Sequence, residues 1–205
     1  MTPRRRALRG RRIILSPASA EDARPIYEWL ACSDLTATML GPPTYPELPV
    51  PTWEQFRADY LDHFFDGSSP ELGRCFVIRV EGEQMGQVNY NDIQERGGRK
   101  RVELDIWLSG SAACGHGFGP EALDVLCRHL AERFGVRDFM VQPSARNPRA
   151  IRAYEKAGFV RIGMDGDGAR EQWGPSDYFD SVYMVRTFAS GGGMPRDGTR
   201  RGERQ

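Results

Sequence analysis

Two groups of residues in this 205-residue chain combine side-chain types and spacings suited to chemistry. In Val102-Glu-Leu-Asp-Ile-Trp-Leu108, the apolar residues Val102, Leu104, Ile106 and Leu108 alternate with Glu103, Asp105 and Trp107. A period of two places both carboxylates on one face of a strand, where an acid can orient an ammonium or take its proton. Downstream lies Cys114-Gly-His-Gly-Phe-Gly119, between a strand and a helix. Alternate glycines let backbone N–H groups turn inward as a nest, and the helix start adds its positive dipole end. Such a cradle suits a pyrophosphate, although the same run also reads as a flexible turn. It is not the phosphate loop of nucleotide hydrolases, because no Gly-Lys-Ser/Thr follows, and no dinucleotide-binding βαβ pattern surrounds it. The remaining reactive types are scattered. Cys32, Cys75, Cys114 and Cys127 contain no C-x-x-C pair, and with His63, His116 and His129 they offer no metal-site spacing. No metal is expected. The cysteines read as reduced thiols of a cytoplasmic protein, with Cys127 packed as a small apolar residue on a helix.

The elements that must position these groups follow from periodicity. Residues 13–15 read as a first strand, and Ser19 as the cap of a helix through Ile26, Tyr27, Trp29 and Leu30. A proline-dense loop over 41–51 cannot be regular helix. Thr52 and Gln55 form a capping box for one helix through Phe56, Tyr60 and Phe64. Residues 74–80 and 84–90 make a hairpin around Glu81-Gly82-Glu83, and 96–101 is a polar connection to the strand at 102–108. A helix spans about 119–134, with Leu123, Leu126, Cys127 and Leu130 on one stripe. A strand at 139–142 leads to Asn147-Pro148 and a short helix ending before Gly158. Strands at 159–162 and 181–186 close the pattern, joined by a polar insert over 165–180 with five acids and one Arg. This predicts one mixed α/β domain over residues 13–188, between disordered tails at 1–12 and 189–205.

Charge narrows the function. The 28 basic and 28 acidic residues cancel over the chain, but not locally. Residues 1–12 carry six Arg and no acid, whereas 13–188 carry 18 basic and 26 acidic groups. A nucleic-acid binder with a basic folded face is not expected, and an acidic body suggests a cationic partner. No apolar run approaches the ~18 residues of a membrane span, and the Arg-rich start lacks the apolar stretch of a secretory signal.

Taken together, Glu103-Leu-Asp-Ile-Trp-Leu108, the glycine cradle, Pro120-Glu-Ala-Leu123 and Asn147-Pro-Arg-Ala-Ile-Arg-Ala-Tyr-Glu-Lys-Ala-Gly-Phe159 resemble the GCN5-related N-acetyltransferases (GNAT). Within that superfamily they look most like the aminoglycoside 6′-N-acetyltransferases. The resemblance covers roughly residues 74–188. It implies an α+β GNAT fold, with a mixed, mostly antiparallel central sheet flanked by helices, and acetyl-CoA as cofactor. It also implies that the main chain of Ile106, Trp107 and Leu108 pairs with the pantetheine arm. Cys114, Gly115, His116, Gly117, Phe118 and Gly119 would wrap the pyrophosphate. Asn147, Ala150 and Tyr154 would meet the arm. Asp105 matches the family's catalytic aspartate in its separation from the glycines, which makes it the general base, with Glu103 as a second acid. Tyr154 stands where family members protonate the departing thiolate. Tyr90, Trp107, Trp173 and Tyr178, with the two acids, would wall the acceptor pocket, although such aromatics also serve as packing residues.

One position departs from the family: its usual Arg or Gln at the head of the glycine motif is here Cys114, so one polar phosphate contact is missing or supplied elsewhere. The expected activity is acetyl transfer to a small cationic amine, by a monomer or homodimer. A siderophore-pathway or protein N-terminal acyltransferase, and a non-catalytic acyl-CoA-binding regulatory module, are the alternatives.

Overall fold

Three successive segments of alternating character build the centre of a sheet: β3 (Arg74–Val80), β4 (Glu83–Tyr90) and β6 (Arg99–Leu108). In the computed structural model, which describes residues 6–40, 50–163, 168, 171 and 180–189, these strands pair antiparallel in that order. Joining them are β1 (Leu8–Arg9), β2 (Ile14–Pro17), β5 (Gln94–Arg96), β7 (Val136–Val141), β8 (Val160–Arg161) and β9 (Met184–Thr187). The order is β1-β2-β3-β4-β6-β7-β9-β8, with β5 on β6, and every pairing is antiparallel except β6 with β7. The structure thus has the mixed, largely antiparallel sheet expected.

Each face of the sheet is covered. On one side lie α5 (Phe118–Phe134) and α6 (Pro148–Lys156), whose Leu123, Leu126, Cys127, Leu130 and Ile151 bury against Ile78, Val88, Val102 and Leu104. On the other lie α1 (Ala23–Ala31), α3 (Trp53–Asp59) and α4 (His63–Asp66), which contribute Ile26, Phe56, Phe64 and Phe65 to a core with Cys75, Val77 and Trp107. The short α2 (Thr36–Leu40) follows α1. The alternation along β6 therefore sends Val102, Leu104, Ile106 and Leu108 to the α5 side and Trp107 to the other core.

Two features open the sheet where the site lies. The β6–β7 ladder runs from Lys100↔Val136 to Glu103↔Met140 and ends there, while β6 stays paired with β4 as far as Leu108. The register of β4 also shifts opposite Ile78 and Arg79, which leaves Met85 as an extra residue beside Gly86. Gly86 has φ +144°, and a Cβ there would fall 2.4 Å from the Trp107 carbonyl, so only glycine lets the two strands approach.

Several expectations are corrected. Residues 8–12 are not tail: Leu8 and Arg9 pair with Leu15 and Ile14, and Gly10 N–H donates to Ile13 O across the turn. The polar connection at 96–101 is itself a hairpin, closed by Gly97 and Gly98 at positive φ. The single helix expected through Phe64 breaks at Tyr60. Its carbonyl accepts from Arg57 Nη1 at 2.9 Å, and the break lets Phe64 and Phe65 both bury. The Thr52–Gln55 capping box is as read, with bonds of 2.8 and 3.2 Å, whereas Ser19 heads a 3-10 turn over Ala20–Asp22 ahead of α1, and Asp22 accepts from its N–H at 2.8 Å. Most of the proline loop and of the acidic insert lies outside the described residues.

Candidate active site

A cavity of about 110 Å³ lies along the part of β6 that extends past its pairing with β7. It is lined by Ile106, Trp107 and Leu108 of β6, Cys114 and Gly119 of the glycine segment, and Asn147, Ala150 and Tyr154 of α6. Six of these positions are expected to meet the cofactor's arm and two, Cys114 and Gly119, its pyrophosphate, and they gather here from three separate stretches of chain. Ile106 and Leu108 pack toward the α5 core. Trp107 points to the opposite face, where its indole N–H donates to Ile26 O at 3.1 Å and its ring meets Tyr60 edge-on at 5.9 Å. With the residue only 8 % exposed, the indole pins α1 to the sheet and does not form an acceptor wall.

The glycine segment has the shape its composition implies. Gly115 and Gly117 take φ +83° and +81°, which turn the chain into the first residue of α5. The N–H groups of that first turn have no partner within the helix, and the helix dipole adds positive potential there. Side chains in the segment serve the loop itself. His116 Nε2 lies 3.2 Å from Ala112 O, and its ring stacks on Phe118 at 5.4 Å. Cys114 Sγ donates to Gly110 O at 3.7 Å. The backbone of this loop, together with the cavity and the opened strand, fits a phosphate-bearing cofactor with a long, mostly apolar arm.

Asn147 caps α6, its Oδ1 accepting from Ala150 N–H at 3.1 Å. That leaves the carboxamide N–H donors for a second partner. Tyr154, 9 % exposed, reaches the cavity from the same helix.

Asp105 lies on the opposite face of β6 from Ile106, half-buried, with Asn89 as its partner on β4 and Cys75 beyond on β3. Burial pushes the Cys75 thiol up, and the negative charge of Asp105 adds to that shift, which marks their proximity. Beside them runs a polar ladder: Gln87 donates to Asn89 at 3.0 Å, and Asn89 to Asn91 at 3.2 Å. Glu103 opens into a second, polar cleft of about 80 Å³ with Asn91, Asp92, Gln94 and Arg101. Asp105 thus stands on the strand between the apolar cavity and the polar cleft.

Other assignments fall differently. Tyr90 is 2 % exposed in the α5-side core, with its hydroxyl donating to Pro70 O at 2.7 Å, so it walls no acceptor pocket. Trp173 and Tyr178 lie outside the described residues. Leu35, Thr38 and Met39 also line the cavity. Asp34 ties their segment to the loop before the cradle by accepting from Ser111 N–H at 2.8 Å and from its hydroxyl. The serine hydroxyl bond, then the backbone bond, hold the Asp34 carboxyl below its ordinary pKa. No sequence signal marked that segment. The Gln87-x-Asn89-x-Asn91 ladder did carry one, because polar residues alternate there along a hairpin arm and just past its end.

Residues 12–160 match the model of the acetyltransferase (GNAT) domain family. The chain belongs to the GNAT acetyltransferases. Such a chain is an N-acetyltransferase enzyme, and its sequence is similar to the aminoglycoside N(6′)-acetyltransferase type 1 of Klebsiella pneumoniae. The two share 27 % identity over 183 residues, covering 85 % of this chain and 83 % of that one. A shorter similarity, 29 % over 90 residues and 44 % of this chain, relates it to the ribosomal-protein-serine acetyltransferase of Escherichia coli strain K12. Among solved structures, the aminoglycoside acetyltransferase AAC(6′)-Ib in complex with paromomycin and acetyl-CoA superposes with a TM-score of 0.65. At 24 % identity the match covers 86 % of this acetyltransferase and 93 % of that chain. No described helix is long and apolar enough to cross a membrane.

Proposed function

We propose that this N-acetyltransferase uses acetyl-CoA to acetylate a primary amine of a small polycationic acceptor of the aminoglycoside class, at the 6′ amine. The observation that carries this reading is the position of β6. Its Ile106–Leu108 segment borders an apolar cavity, while Glu103 borders a separate polar cleft and Asp105 lies between. Acetyl-CoA supplies the activated acetyl thioester when bound. The main chain of Ile106, Trp107 and Leu108, opened by the end of the β6–β7 ladder, would hold the pantetheine arm as an added strand. Gly115, Gly117 and Gly119 would present backbone donors to the pyrophosphate.

Asp105 is the general base in this reading. An amine with a pKa near ~10 is protonated at neutral pH and must lose a proton before it can attack. Asp105 would take that proton at its carboxylate, while Glu103 and the cleft residues Asn91 and Asp92 hold the acceptor's remaining cationic groups. Tyr154 would keep a proton at its hydroxyl for the departing thiolate. Direct transfer in a ternary complex is favoured, because Cys114, the cysteine at the cavity, has its thiol turned back to the Gly110 carbonyl.

The charge distribution agrees. Residues 13–105 and 162–188 together hold 10 basic and 21 acidic groups, against eight basic and five acidic in 106–161. The acidic part would draw a polycation, and the basic part a phosphorylated cofactor.

The test is acetyl-CoA turnover with a panel of amines: kanamycin-type aminoglycosides, spermidine, and a peptide with a free N-terminal serine. Turnover with the aminoglycosides at kcat/KM at least tenfold above the other two is expected. Preference for the peptide would replace this reading with protein N-terminal acetylation. Turnover of none, with coenzyme A still bound, would point to the regulatory alternative.

A further inference from the structure

The glycine cradle receives a side chain from a distant part of the sequence. Arg12, at the end of the β1–β2 turn, lies against the start of α5. Its Nη1 donates to His116 O at 2.9 Å, and its Nε to Glu121 at 3.2 Å. Its own backbone N–H donates to the same carboxylate at 2.7 Å. The guanidinium carbon sits 5.6 Å from the centre of the Phe118 ring. Nη2 lies 2.9 Å from where a Cβ on Gly117 would stand, so the guanidinium fills the space that a larger residue would take at the cradle. Three anchors fix the group, yet its side chain remains 44 % exposed. Glu121 is committed to the anchoring. Burial raises its pKa, but the bonds from Arg12, Arg11 and Ile13 outweigh that and hold it below the carboxylate norm.

We propose that Arg12 completes the phosphate cradle, its guanidinium supplying to the pyrophosphate of coenzyme A the cationic contact that Cys114 does not. This inference rests on the reading that the chain binds acetyl-CoA at the glycine segment. A pyrophosphate carries about two negative charges, and backbone N–H groups alone meet them with partial charges only. An Arg presents a planar fork matched to phosphate oxygens. Here Nε and Nη1 are taken by Glu121 and the His116 carbonyl, and Nη2 is the donor group that has no acceptor among the described residues. The anchors make the contact preorganised, so little side-chain entropy is lost on binding.

The test is calorimetric titration of the full chain with coenzyme A. Arg12→Gln is expected to bind about tenfold more weakly, the scale of a lost charge-assisted hydrogen bond. The double variant Arg12→Gln with Cys114→Arg should recover most of that loss, because it returns a cation to the cradle from the other side. A purely structural Arg12 would not be rescued this way. The proposal is overturned if Arg12→Gln binds within twofold of the parent, or if the double variant stays as weak as Arg12→Gln. A parent chain that does not bind coenzyme A would sink the underlying reading as well. Failure confined to the variants sinks this inference only.

Discussion

Glu103 and Asp105 occupy alternate positions on one strand, and their environments separate them. Glu103 borders the polar cleft, whereas Asp105 is half-buried beside Asn89 and Cys75, nearer the apolar cavity. If Asp105 takes the proton of the acceptor amine, Asp105→Asn should lower kcat by about a hundredfold or more, with coenzyme A affinity within twofold of the parent. Near-normal turnover, measured by thiol release, would remove it from that role. Glu103 and Asp105 were legible in the sequence because strand alternation is strict and the spacing to the glycines is short. Tyr90 was not. It alternates with Asn89 on the same strand, and only the packing of α5 shows that its ring enters the other core. Trp107 likewise looked like a wall, but its indole ties α1 to the sheet through Ile26.

At the scale of elements, the site depends on how β4 and β6 approach and where β6 leaves β7. Gly86 controls the first. A methyl group there would meet the Trp107 carbonyl at 2.4 Å and the Leu108 Cα at 2.6 Å, both of them backbone, which cannot swing aside. Gly86→Ala should therefore destabilise the fold by about 2–3 kcal/mol, read as a lower urea midpoint, and weaken coenzyme A binding at the segment it displaces. An unchanged midpoint would contradict this account of the bulge. Most elements were visible from periodicity and caps, including the Thr52–Gln55 box and the Asn147 cap. The Arg96–Arg99 turn carried a Gly-Gly hairpin signal that the polarity of its flanks concealed. α2 is five residues long and has no readable stripe, so its place over the cavity is a tertiary fact.

For the whole molecule, stability against pH follows from groups far from the site. Burial holds the His129 imidazole below its ordinary pKa of 6.5, with Arg133 adding to the effect and Glu132 opposing it. Phe76 and Phe134 flank the ring at 6.3 and 6.4 Å. The unfolded chain then binds a proton more readily than the folded one, so this contribution is full above about pH 6.5 and is lost as the pH falls below it. Asp138 behaves as a carboxylate held low, chiefly by hydrogen bonds from Arg99 at 2.8 and 2.9 Å. Its contribution is present above about pH 4 and is lost on further acidification. Melting temperature should thus be level from pH 8 to about 7, decline between about 6.5 and 5, and fall more steeply below about 4. His129→Gln should remove the first decline and leave the second; persistence of both would contradict the assignment.

The sequence by itself determined the mixed α/β class, the family, the two acids and the glycine cradle, because these depend on spacing within continuous segments. Only the tertiary structure decided which face each aromatic enters, where β6 and β7 part, and that an arginine read as tail docks at the cradle. Those outcomes depend on contacts between segments far apart in the sequence, 104 residues for Arg12 and His116, and local periodicity carries no information about such pairs.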